Sequence, residues 1–236
     1  MTEEGNGNAY NMRLFSRGLR GRLHSARFHW VIDATQRLSC PTDSILELGC
    51  FDGKLIDFLP KKPERYWGLD ANWEGGLDLA KERWGDQPGF HFREVTEPEH
   101  VNLEASANFQ LAVCMETLEH VPPDLVDGYL RAIAKCLDGY FLITVPNEKG
   151  LLFIAKWFAK AIFTEDSYRY SFSELLNSIR GRMDRVKRHE HKGFDYDALV
   201  AEVSQYFDIV EVSGIPMRSS PRAMWFGVGI IAKSKT

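Results

Sequence analysis

Ile45-Leu-Glu-Leu-Gly-Cys-Phe-Asp-Gly53 is the stretch on which the reading of this chain turns. Residues 45–48 are apolar apart from Glu47 and predict a buried strand. Gly49 and Gly53 then bracket a tight turn, and the apolar spacing over 54–59 predicts a short helix. A turn of this kind needs small residues so that backbone N–H groups can approach a ligand at a helix N-terminus. The spacing is G-x-x-x-G rather than G-x-G-x-x-G, which disfavours a pyrophosphate cradle and a nicotinamide oxidoreductase. Asp70 strengthens the pair. It ends a second predicted strand, 66–70, and stands 21 residues after Gly49, where a carboxylate can accept both hydroxyls of a ribose. The plainer alternative is two turn glycines and a surface aspartate.

Working outward, residues 13–38 predict a helix with apolar residues threaded through Arg13, Arg17, Arg20, Arg22 and Arg27. Helix 76–84 and strand 90–95 follow strand two. Strand 110–115 is apolar from Leu111 to Val113, as suits a central strand covered on both faces. Pro122-Pro-Asp124 opens a helix with Leu125, Tyr129, Ile133 and Leu137 four apart, which Gly139 is expected to end. A fifth strand, 140–145, stops at Pro146, and strands 207–213 and 225–232 close the chain. Strands alternating with helices predict an α/β fold with a doubly wound, seven-stranded, mostly parallel sheet. Right-handed crossovers place the C-terminal strand ends on one edge, where ligands bind.

We read 1–236 as a single domain: a disordered tail (1–9), an N-terminal helical cap (10–40), a core (41–147), a helical insertion or lid (148–195) and a C-terminal helix and strand pair (196–236). The 44% hydrophobic content supports a sizeable core. A net charge of −4 makes no general demand for nucleic acid or anionic lipid. Four scattered cysteines without a C-x-x-C pair read as reduced core residues. No signal peptide and no apolar run of membrane-spanning length is visible, so a cytoplasmic protein is expected.

With these residues in hand, the chain resembles the class I S-adenosylmethionine (SAM)-dependent methyltransferases, a Rossmann-like family with an antiparallel last strand. Glu47-Leu-Gly49-Cys-Phe-Asp-Gly53 looks like their first motif, Asp70 like their second-strand acid, Val113-Cys-Met-Glu-Thr-Leu-Glu-His-Val121 like their fourth-strand motif and Thr144-Val-Pro-Asn147 like their fifth. The likeness spans 27–147 and the terminal strand pair. It implies that Gly49 and Gly53 line the methionine half of SAM, that Glu47 belongs to the cofactor site and that Asp70 binds the ribose. Glu94 or Val95 would approach the adenine, and Met115 would pack beside it. Arg27 would meet the cofactor carboxylate. Phe51 stands where the family usually has glycine, so its ring is expected to fold away from the cofactor.

Glu116, Glu119 and His120 follow strand four. On a helical turn these positions share a face and would point together at the active edge. One reading makes Glu119 a helix cap and packs His120 against the sheet. A second gives Glu119 and His120 to catalysis, with His120 as general base. A third is a divalent-metal site of Glu116, Glu119 and His120 with His191 as fourth ligand, suited to manganese, iron or zinc better than magnesium. The segment resembles two groups: the ubiquinone-biosynthesis O-methyltransferases, which match Cys-Met-Glu-Thr-Leu-Glu-His-Val-Pro, and the small-RNA 2′-O-methyltransferases, which use Glu-x-x-Glu-His and a later histidine for metal.

Residues 150–163 are apolar except for Lys156 and Lys160. As a helix of about 14 residues they would extend ~21 Å, too short to span a bilayer. They read as a lid over the substrate, or as an interfacial helix giving peripheral contact with the inner membrane face. The basic stretch from Arg180 to Lys192 reads as a solvated face. The expected activity is O-methylation of a hydroxyl on a small-molecule, lipid-linked or glycan acceptor. RNA ribose methylation and a non-catalytic SAM-binding role are the alternatives, and a nucleic-acid partner is disfavoured.

Overall fold

Period-two alternation sorts the central strands' side chains onto two faces. The computed structural model, which describes residues 19–101, 103, 108–149, 171–187 and 192–235, shows this directly. From β1 (Ser44–Leu48), Ile45 joins one core cluster while Leu46 and Leu48 join the other. From β4 (Phe109–Met115), Leu111, Val113 and Met115 fall with Ile45, and Ala112 and Cys114 fall with Leu46. Phe109 breaks the alternation because a register shift lies between it and Leu111.

The remaining strands are β2 (Arg65–Asp70), β3 (Phe90–Glu94), β5 (Leu137–Pro146), β6 (Phe207–Ile215) and β7 (Gly227–Ser234). They form one seven-stranded sheet in the order β3-β2-β1-β4-β5-β7-β6. β1 to β5 pair parallel throughout, whereas β7 runs antiparallel to both β5 and β6. The order reverses at β1, which makes the gap between β1 and β4 the switch point.

Helices cover both faces. α1 (Leu19–Arg37) buries Phe28, Trp30, Val31 and Ala34 on the Ile45 face, helped by α2 (Leu55–Phe58). Trp30 lies over β7, where a Cβ on Gly229 would meet its ring at 2.2 Å, and its Nε1–H donates to Ser213 Oγ at 3.2 Å. α3 (Gly76–Trp84) follows β2 and spans the range expected from sequence. The opposite face carries α4 (Pro123–Ala134), whose Val126, Tyr129, Leu130 and Ile133 are buried at one helical stripe, and α6 (Tyr196–Tyr206). Each fully buried side chain of this size contributes about 1.5–3 kcal/mol. α5 (Phe172–Ile179) starts with a Ser171–Glu174 capping box. Among the described residues no helix is long and apolar enough to cross a membrane.

Two sequence expectations change. α4 ends at Ala134, and Leu137 already opens β5 opposite Phe109. Gly139 is therefore not a helix cap: a Cβ there would lie 1.9 Å from the Gln110 carbonyl oxygen, so the glycine permits close strand approach. The last strand starts at Gly227 rather than at 225, because Trp225 is buried beside a short 3₁₀ turn with its Nε1–H donated to Ser220 O at 2.7 Å. The tail 1–9, the 150–163 segment and His191 lie outside the described residues.

Candidate functional site

The turn after β1 is built from left-handed backbone. Gly49, Phe51 and Gly53 have φ of 78, 45 and 68°. Gly49 and Cys50 both donate N–H to Leu69 O, at 2.7 and 3.2 Å, so the turn is laced to β2. Gly49 also admits the neighbouring turn: a Cβ there would lie 1.9 Å from Thr117 Oγ1. Phe51 holds a conformation natural to glycine, at a cost of roughly 1–2 kcal/mol. Its N–H is held by Asp70 Oδ2 at 2.9 Å, and its ring is turned onto the first residue of α3, where a Cβ on Gly76 would meet it at 2.2 Å.

Asp70 thus organises two turns at once. Its Oδ1 accepts the Asn72 N–H at 2.8 Å, and the Trp73 N–H also bonds the carboxylate. Burial raises the pKa of this carboxyl while the three backbone donors hold it down. Each carboxylate oxygen has two acceptor sites, so these bonds leave capacity for ribose hydroxyls. Beyond it, Asn72, Glu74 and Gly75 are all left-handed, with φ of 57, 50 and 71°, and Trp73 stands 60% exposed. Asn72 and Glu74 hold this backbone without being glycine, strain of the kind that collects at ligand clamps.

Glu47, on the sheet face covered by α1, is 1% exposed. The Tyr66 hydroxyl donates to its Oε2. Burial pushes the Glu47 carboxyl up to about 8; the Tyr66 bond opposes this, Asp52 and Asp70 add to it, and Arg27 opposes it. Asp52 is itself buried and bound by Arg83 Nη1 at 3.1 Å. Arg27 acts on both Glu47 and Glu119 from α1, and its Nε is buried without a hydrogen-bond partner. An orphaned guanidinium donor and a glycine cradle are what a bound ligand with a carboxylate would complete. Met115, 8% exposed, lies on the same sheet face as Glu47. Glu94 is exposed at the end of edge strand β3, whereas the Val95 side chain packs into the core and its N–H donates to Asp70 O at 2.9 Å.

The exit from β4 departs from expectation. Glu116 is left-handed, with φ 50°, and residues 116–121 form a turn instead of a helix. Glu116 N–H donates to Thr144 O at 2.8 Å, and Thr144 Oγ1 donates to Glu116 Oε1 at 3.3 Å. The i, i+3, i+4 face is therefore not formed: Glu119 is 1% exposed while His120 is exposed. Burial, with Glu116 next in importance, raises the Glu119 carboxyl well above the usual range. Among the described residues no group of three or more His, Cys, Asp or Glu is placed to hold a metal. Tyr66 and Thr117 escaped the sequence reading, because the signal for each is a contact between distant segments and not spacing along the chain.

This geometry has counterparts. A family model of the methyltransferase domain matches residues 23–202. The ubiquinone biosynthesis O-methyltransferase of Actinobacillus pleuropneumoniae is 26% identical over 173 residues, covering 66% of this chain and 70% of that one. Its namesake from Hahella chejuensis is 31% identical over 122 residues, half of each chain. Among solved structures, an S-adenosylmethionine-dependent methyltransferase from Clostridium acetobutylicum superposes with a TM-score of 0.63 over 97% of both chains, at 13% identity, which speaks for the fold alone.

Proposed function

We infer the reaction from one premise: the chain belongs to the methyltransferase domain family and is a class I SAM-dependent methyltransferase. We propose that it methylates a hydroxyl oxygen on a small-molecule, lipid-linked or glycan acceptor. The observation that carries this reading is the split at the β4 exit, which buries Glu119 beside Glu116 and leaves His120 exposed on the active edge. A hydroxyl must lose its proton as it attacks, and an imidazole at the active edge is a side chain suited to accept it. Burial raises the Glu119 carboxyl well above the usual carboxylate range, and in this reading it serves as a positioning group beside His120. The likeness to two ubiquinone biosynthesis O-methyltransferases supports oxygen as the nucleophile.

In this assignment Asp70 accepts the ribose hydroxyls, and Arg27 meets the cofactor carboxylate. Gly49 and Gly53 let the backbone close on the methionine half, and Met115 packs beside the adenine. Glu94 and Val95 are reached only through the rim and the backbone of β3. When bound, SAM supplies an activated methyl group, and the protein's task is to align it with the acceptor oxygen. A divalent metal on Glu116, Glu119, His120 and His191 is the other reading of the cluster. Among the described residues, Glu116, Glu119 and His120 are not grouped to hold it. Peripheral membrane contact through 150–163 would suit a lipid-linked acceptor.

The test is incubation of the protein with methyl-labelled SAM and fractionated cell extract, followed by mass spectrometry. Label in an organic or glycan fraction, retained in EDTA and lost in His120→Ala, is the expected result. Label in RNA would favour ribose methylation. Collapse of turnover on chelation would restore the metal reading, and SAM binding without transfer to any fraction would leave a non-catalytic role.

A further inference from the structure

A buried carboxyl with one hydrogen-bond donor and several acidic neighbours is a charge sensor if a cation visits it. Glu47 meets that description. The Tyr66 hydroxyl from β2 bonds it, and Asp70 faces it from the same strand. Asp52 and Cys50 face it from the glycine turn, whereas the Cys114 thiol of β4 lies on the opposite face of the sheet. Arg27 on α1 is the cation acting on it, shared with Glu119. Arg83 is already committed to Asp52 and Asp57. The mean field at Glu47 is therefore negative, and the pair sits under the turn assigned to the methionine half of the cofactor.

We propose that the buried Glu47–Tyr66 pair is the element that distinguishes cationic SAM from its neutral product S-adenosylhomocysteine, releasing a proton when SAM binds and regaining one after transfer. The inference rests on the cofactor reading above. SAM carries a sulfonium that the product lacks. As SAM enters, the Glu47 O–H bond breaks and its proton passes to solvent, leaving a carboxylate that offsets the sulfonium. In transfer, the acceptor oxygen forms the new C–O bond, the S–CH3 pair returns to sulfur, and the acceptor's proton leaves with its base. The sulfur is then an uncharged thioether. Glu47, with the sulfonium charge gone, takes a proton from solvent, and the product is held less tightly. Tyr66 is a positioning residue in this scheme: its O–H bond favours the ionised carboxyl, and so sets the pH at which discrimination appears.

Calorimetry on the full chain tests this, with SAM and S-adenosylhomocysteine titrated near pH 7 in two buffers of different ionisation enthalpy and over a pH series. SAM binding is expected to release close to one proton and product binding much less. The SAM-over-product affinity ratio is expected to climb with pH, by up to about tenfold per unit, until the carboxyl is ionised in the free protein. Glu47→Gln should abolish the proton release and flatten the ratio. Tyr66→Phe should move the rise to higher pH, whereas a merely loosened site would weaken both ligands at every pH. Should Glu47→Gln fail to fold, the wild-type proton count and the Tyr66→Phe shift still decide. SAM binding with no proton release and a pH-independent ratio overturns the proposal and leaves the cofactor reading intact. No SAM binding at all overturns both.

Discussion

Two turns leave the sheet side by side at its active edge, one after β1 and one after β4, and they are built on opposite principles. The first is organised by backbone: its N–H groups go to Leu69 O and Asp70, and left-handed residues set its path. The second is organised by where its side chains fall, with Glu119 inside, His120 outside and Glu116 tied to Thr144. The first can meet a constant cofactor with constant geometry. The second presents replaceable side chains, which is what recognition of a particular acceptor requires. They meet where Thr117 fills the space that a side chain on Gly49 would need.

That contact offers the most damaging substitution. Gly49→Ala adds a left-handed penalty to a clash and is expected to cost roughly 3–5 kcal/mol. Denaturant unfolding of Gly49→Ala alone and with Thr117→Gly would measure it. Partial rescue in the double variant is expected, and no rescue would mean the two turns are not in contact. Next in size, Asp70→Ala should weaken SAM at least tenfold in calorimetry, ~1.4 kcal/mol or more, while sparing the β4 turn. Unchanged affinity would remove Asp70 from the ribose.

The pH response is smaller and common to both turns. Folded Glu47 holds its proton up to about 8 and folded Glu119 well above the usual range, whereas the unfolded carboxyls ionise near 4.5. Raised folded values mean that the folded state binds more protons over this window. Their stabilising contribution is therefore full below about pH 4.5 and is lost as pH rises toward the folded values. Thermal melts of the free protein from acid to mildly alkaline pH should show the loss. Glu119→Gln, which cannot ionise, should reduce the slope and gain on wild type as pH rises; an unchanged slope would place Glu119 in water. Smallest of all, Trp73→Ala on the exposed rim should change stability by no more than about 0.5 kcal/mol, and a larger loss would mean the indole is packed.

The same contrast explains how much could be read from sequence. The succession of strands and helices along the chain, the glycine turn and Asp70 follow from hydrophobic period and from residues that only special backbone tolerates, and both are local signals. Gly139 misled because a glycine after a helical run has two meanings, a cap or a close strand approach, and the Gln110 carbonyl that decides between them is 29 residues away in sequence. The Glu116–His120 cluster misled for a related reason. A spacing of three and four implies a shared face only on a helix, and the left-handed Glu116 prevents one. Tyr66 was silent because its partner, Glu47, is chosen by the pairing of β1 with β2.

The reversed direction of β7 has a practical side. Because it runs back against β5, its first residue, Gly227, pairs with Pro146 at the active edge. Its last, Ser234, pairs with Phe207 and accepts the Gly139 N–H at the opposite edge. A purification tag, a fluorophore or a surface tether attached beyond Ser234 therefore departs from the far side of the sheet. Immobilised in that orientation, the protein would present its glycine turn and its β4 exit to the solution.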